Sequence, residues 1–162
     1  AGPIGVLDRF RMTVPAARRY TLTPTADIAV LPFDDAIQDA LHVVNGTGDW
    51  LESSGHRLST RDLAFAAEVS RTGPLAYLET DYSGRDGNQS AAFWIGGACT
   101  IGPLSLDTAT ALTRPAPFWP INAALRALGI KATTSEDEFT AFGLRGFASN
   151  GAIHTSAIPA RY

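Results

Sequence analysis

Residues 75 to 106 read LAYLETDYSGRDGNQSAAFWIGGACTIGPLSL, and the way this stretch divides decides the fold. LAYLETDY alternates, SAAFWI is a nearly continuous apolar run, and ACTIGPLSL follows after Gly96-Gly97. Alternation marks a strand with one covered face; a continuous apolar run marks a strand covered on both. Gly96-Gly97 supplies the positive φ angles of a tight hairpin. The polar stretch SGRDGNQ reads as the other turn, with Gly84 and Gly87 at positive-φ positions and Asp86 and Asn88 suited to side-chain-to-backbone bonds. Both connections are too short for a crossover, so the three strands are antiparallel and a parallel α/β fold is set aside.

On the N-terminal side, RRYTLT and DIAVLPF read as two short strands stopped by Pro24 and Pro32. DDAIQDALHVV then sets Ile37, Ala40, Leu41 and Val44 at helical spacing, with Asp34 as N-cap and Asn45-Gly46 as the stop. Asp35, Gln38, Asp39 and His42 fall on its outer face, which makes His42 a solvated residue near the helix C-terminus. A second helix starts at Ser59-Thr60 with Asp62 in its first turn and runs to Gly73-Pro74. It is apolar nearly all round and is expected to lie between the sheet and another layer.

On the C-terminal side, DTATALTRPAPFWP is a linker by composition. Pro120 opens a helix, PINAALRALG, with Ile121, Ala124, Leu125 and Leu128 as its buried stripe. IKATT reads as a short strand, and Ser135 as the cap of a short helix over SEDEFTAF. The sum is β-β-α-α-β-β-β-α with a small terminal element: an α+β domain with three to four helices packed on an antiparallel sheet.

A chain of 162 residues at 45% hydrophobic has the material for one core. Residues 12–162 are expected to form that single domain, and residues 1–11, ahead of Met12, an N-terminal extension or expression remnant. With a net charge of -3 and thirteen basic residues thinly spread, the chain lacks a phosphate-binding surface, so no nucleic-acid partner is expected. Arg9, Arg11, Arg18 and Arg19 read as a solvated arm. The single cysteine, Cys99, reads as a small buried hydrophobe on a strand. Neither a long apolar span nor a basic-then-apolar leader is present, and the expectation is a cytoplasmic monomer or homodimer without a membrane partner.

Chemistry has few candidates. On the strand LAYLETDY, Tyr77, Glu79 and Asp81 share one face. Two carboxylates so placed form an acid/base pair if their environments separate their pKa values, or else simply line the solvated face of the sheet. A calcium loop fails, because Arg85 stands at a ligand position, Asp86 where glycine is needed and Ala92 where the closing glutamate belongs. No phosphate loop or nucleophile elbow occurs. His42, His56 and His154 lack metal-ligand spacing, and no metal or cofactor is expected. Glu52, Ser53, Ser54 and His56 read as a flexible turn. Trp50 in its glycine-rich loop and Phe118-Trp119 before Pro120 are either packed rings or anchors for a partner. Phe93 and Trp94, adjacent on one strand, need two covering layers if both are buried.

The run YLETDYSGRDGNQSAAFWIGG, followed by GPL, PINAALRALGIKA and DEF with a downstream GL, resembles a group of uncharacterised small bacterial proteins. Their pattern is Tyr-x-Glu-Thr-Asp-Tyr-x-Gly-Gly-x-Gly-x-Gln, and Arg85 departs from it at the second glycine. Such proteins are similar in size and style to immunity proteins of bacterial toxin systems. The resemblance implies a non-catalytic protein-binding module, an immunity-type inhibitor. The residues expected at such a partner surface are Glu79, Asp81, Arg85 and Asp86 on one rim, with Trp50 or Trp119 as anchor. The alternative is a small hydrolase or ligand-binding enzyme in which Glu79, Asp81 and Gln89 line a cleft.

Overall fold

The computed structural model describes residues 1–18, 20–21, 27–46, 48–49, 56–83, 86–107, 110, 113 and 115–144. The long antiparallel sheet has the order β4-β5-β6, from β4 (Leu75–Ser83), β5 (Asp86–Ile95) and β6 (Ala98–Asp107). Its first hairpin is tighter than SGRDGNQ suggests. The pairing runs from Leu75↔Trp94 out to Ser83↔Asp86, so DGNQ belongs to β5 and only positions 84–85, outside the described residues, are left for the turn. The second hairpin turns at Gly96 and Gly97, with φ of 62° and 86°, as the two-residue loop requires.

A second, short sheet has the order β1-β3-β2, all antiparallel, from β1 (Gly2–Pro3), β2 (Tyr20–Thr21) and β3 (Ile28–Val30). The two sheets meet edge to edge where the Ala76 amide on β4 donates to the Ala1 carbonyl at 2.7 Å.

Helices cover both faces of the long sheet. On one face lies α3 (Thr60–Val69), which touches β5 and is itself backed by α1 (Ile4–Thr13) and α2 (Asp35–Asn45), the intermediate position expected of it. On the other lies α4 (Pro120–Ala127), followed by α5 (Glu138–Ala141). Two covering layers are what Phe93 and Trp94 need, and both rings are buried, Trp94 to 1% exposure. Removing a ring of that size from water contributes on the order of 2–3 kcal/mol. The caps follow the sequence: Asp34 Oδ1 accepts the Ile37 amide at 2.9 Å, and Ser59 and Asp62 form a reciprocal capping box. Arg126 on α4 ties down α5 through Glu138 at 2.7 Å.

Three expectations are corrected. Residues 1–11 are no appendage, because β1 and α1 carry Val6, Leu7 and Phe10 into the core beside Ile37, Leu41 and Val69. IKATT is not a strand. Residues 130–133 run without regular structure to the Asp137 cap of α5, which starts later than Ser135. Cys99 is exposed, because β6 is an edge strand solvated along most of its length.

Candidate functional site

The register fixes which side chains can meet. Tyr77 pairs with Ala92 and Glu79 with Ser90, so these four share the α3 face of the sheet with Trp94. There the Tyr77 hydroxyl donates to Glu79 Oε2 at 2.7 Å, and the Arg57 amide donates to the same oxygen at 3.1 Å. The Arg57 guanidinium stands between two carboxylates, with Nε 3.5 Å from Glu79 Oε1 and Nη1 3.7 Å from Asp35 Oδ1. Glu79 is 17% exposed, half-enclosed by donors, and acts as an organised acceptor. Burial, with the Glu79 charge and hydrogen bond added, pushes the Tyr77 phenol well above its ordinary range. His56, next to Arg57, accepts the Leu58 amide at Nδ1, 3.1 Å away. Burial lowers its pKa and the Glu79 charge opposes that shift.

Beside this cluster a cleft of about 630 Å³ runs along β4. Consecutive residues of β4, Leu75 to Thr80, line it, as do the consecutive residues Val30 to Asp35. A pocket seated on a sheet face meets alternate residues only, so this one lies along the outer edge of β4, where the short sheet joins it at Ala76. Phe33, Leu58, Phe65 and Trp94 supply apolar wall, while Arg57, Glu79 and Asp35 bring charge to it. Phe33 and Tyr77 meet edge to face with centroids 6.3 Å apart.

Asp62 lines the same cleft and is nearly sealed from solvent, its side chain 1% exposed. Its Oδ2 accepts the Ser59 amide and the Ser59 hydroxyl, both at 2.8 Å. Its Oδ1 lies 3.5 Å from His42 Nε2. This corrects the placement of His42. The side chain is 11% exposed and turned inward from α2, while Val43 and Val44 take the solvent-facing positions. The signal lay in His42 directly following Leu41, at the flank of the stripe begun by Ile37, and in the Asp62 opposite it. Arg57 and Phe33, also central to the site, carried no pattern of their own.

The residues singled out from the sequence are only partly brought together. Glu79 is at the cleft. The backbone of β4 places Asp81 on the same sheet face. Gln89, in register with Thr80, is on the opposite face, where its Oε1 accepts the Ile121 amide at the start of α4 at 3.3 Å. It therefore caps a helix and is not among the residues that line the cleft with Glu79. Trp119 is the N-cap residue of α4, in the layer on that opposite face, and is half-buried. The side chains of Asp81 and Asp86, and Trp50, Arg85, residues 51–55 and His154, lie outside the described residues.

Among the described residues no group of three or more His, Cys, Asp or Glu is arranged to hold a metal, and no helix is long and apolar enough to cross a membrane. Comparison with protein families, with curated proteins and with solved structures returns no match.

Proposed function

We propose that this protein binds a small, largely apolar molecule in the cleft beside β4, without transforming it. The observation that carries this reading is the joint placement of aromatic wall and organised polar group: Phe33, Tyr77 and Trp94 beside the Glu79 and Arg57 pair. Ligand sites combine mostly apolar lining with a few convergent polar groups, in volumes of about 300–1,000 Å³. Glu79 is held by donors from Tyr77 and Arg57, an arrangement suited to orienting a bound group. The test is a titration of the labelled protein with small aromatic probes. The amide resonances of residues 76–80 are expected to move saturably, and to stop moving when Ala66→Trp fills the cleft. Probes that leave those resonances unmoved would overturn the reading.

A second reading is favoured by one feature: Phe118, 60% exposed immediately before the half-buried Trp119. Large rings anchor protein interfaces. A cytoplasmic immunity-type inhibitor would use this corner to dock its partner, and Phe118→Ala would then weaken capture of that partner while leaving the probe titration unchanged.

A further inference from the structure

The charges around the cleft are unequal. Four carboxylates, Asp34, Asp35, Asp62 and Glu79, line it, against Arg57 as the one Lys or Arg among the described lining residues. Arg57 is already flanked by Glu79 and Asp35. An anionic ligand would meet a surplus of like charge, whereas a cation would meet complementary charge.

Two independent observations sharpen this. Asp62 Oδ1 is buried and makes no formed hydrogen bond, its neighbour His42 Nε2 standing 3.5 Å away, although its partner oxygen is doubly satisfied by Ser59. A buried carboxylate oxygen whose contact to the imidazole is that long keeps acceptor capacity for a donor from the cleft that Asp62 lines. The same cleft is walled by Phe33, Tyr77 and Trp94, and aromatic faces attract organic cations through the ring quadrupole.

Building on the cleft as a small-molecule site, we infer that its ligand is an organic cation, an amine carried on an aromatic or aliphatic body, with the Asp62 carboxylate as acceptor for the ammonium. Glu79 and Asp35 supply the negative field at the arginine end, and the aromatic walls take the body. The carboxylate already sits fixed by its capping bonds to Ser59, so the acceptor is organised before the ligand arrives.

Three probes of similar shape decide it on the full chain: 2-phenylethylammonium, propylbenzene and 3-phenylpropanoate, each followed by amide and carboxyl resonances. The ammonium is expected to bind roughly tenfold more tightly than the neutral probe, and the propanoate more weakly than either. The Asp62 carboxyl carbon should shift with the ammonium alone. Asp62→Asn should abolish the preference for the cation while leaving propylbenzene bound. If that substitution disturbs the α3 cap too far, the carboxyl shift in the unmodified protein gives the answer. Equal binding of neutral and cationic probes, or tighter binding of the propanoate, would overturn the inference and leave the cleft as a site. Failure of all three would remove both.

Discussion

At the scale of single residues, Tyr77 and Glu79 form the best-defined polar contact at the cleft. They meet because two residues separate like-facing side chains on a strand, and the hydroxyl reaches Glu79 Oε2 at 2.7 Å. Burial raises the phenol pKa first, and the adjacent carboxylate adds to it, with Arg57 opposing in part. A group whose folded pKa is raised contributes stability that is complete below its unfolded pKa, about 10 for tyrosine, and is lost as the pH rises above it. Ultraviolet titration should therefore show a phenol that ionises only well above the ordinary tyrosine range. Tyr77→Phe should remove that late component. The same substitution takes the hydrogen bond from Glu79 and should cost about 1–2 kcal/mol in urea denaturation at neutral pH. A profile unchanged by Tyr77→Phe would mean that the phenol is solvated.

At the scale of elements, legibility followed the range of the forces. The two hairpins, the Asp34 and Ser59 caps and the Pro120 start of α4 are written in neighbouring residues, and the structure has all of them. What local pattern does not carry is which partner an element finds. His42 reads as solvated until Asp62, on another helix, is seen to meet it, and Gln89 reads as a cleft residue until α4 is seen to start on it. IKATT has strand composition but no neighbouring edge claims it. Cys99 has strand neighbours, yet the strand is an edge. That edge also holds a position where local and tertiary constraints coincide. Gly102 has φ of 79°, and a β-carbon there would stand 2.5 Å from the Ala91 carbonyl oxygen and 2.6 Å from the Leu104 nitrogen. Both obstacles are backbone and cannot swing aside. Gly102→Ala should thus destabilise by more than about 1 kcal/mol, whereas Gly96→Ala, where φ is 62° but no atom lies within 4 Å, should cost less. Thermal denaturation of the two variants side by side tests the ranking, and equal losses would contradict it.

At the scale of the whole molecule, the decisive element is the first helix, α1. Val6, Leu7 and Phe10 recur at helical spacing, although residues 1–11, ahead of Met12, read as an N-terminal extension. The structure makes α1 the outer layer behind α3. Phe10 packs edge to face on Phe65 at 5.2 Å, and Val6 closes over Gly73 where the chain enters β4. The wall of the cleft that contains Leu7, Phe10 and Phe65 therefore depends on this helix. Leu7 is 2% exposed, and truncating a leucine so placed costs about 2–5 kcal/mol, against a total stability of about 5–15 kcal/mol for a domain. Leu7→Ala should accordingly lower the urea midpoint strongly without changing the slope, while Met12→Ala, at a residue 83% exposed on the same helix, should fall within about 0.5 kcal/mol of the parent. A dispensable arm would treat the two substitutions alike. The contrast between them measures whether the first helix belongs to the cooperative unit, and with it whether the cleft has its second wall in solution.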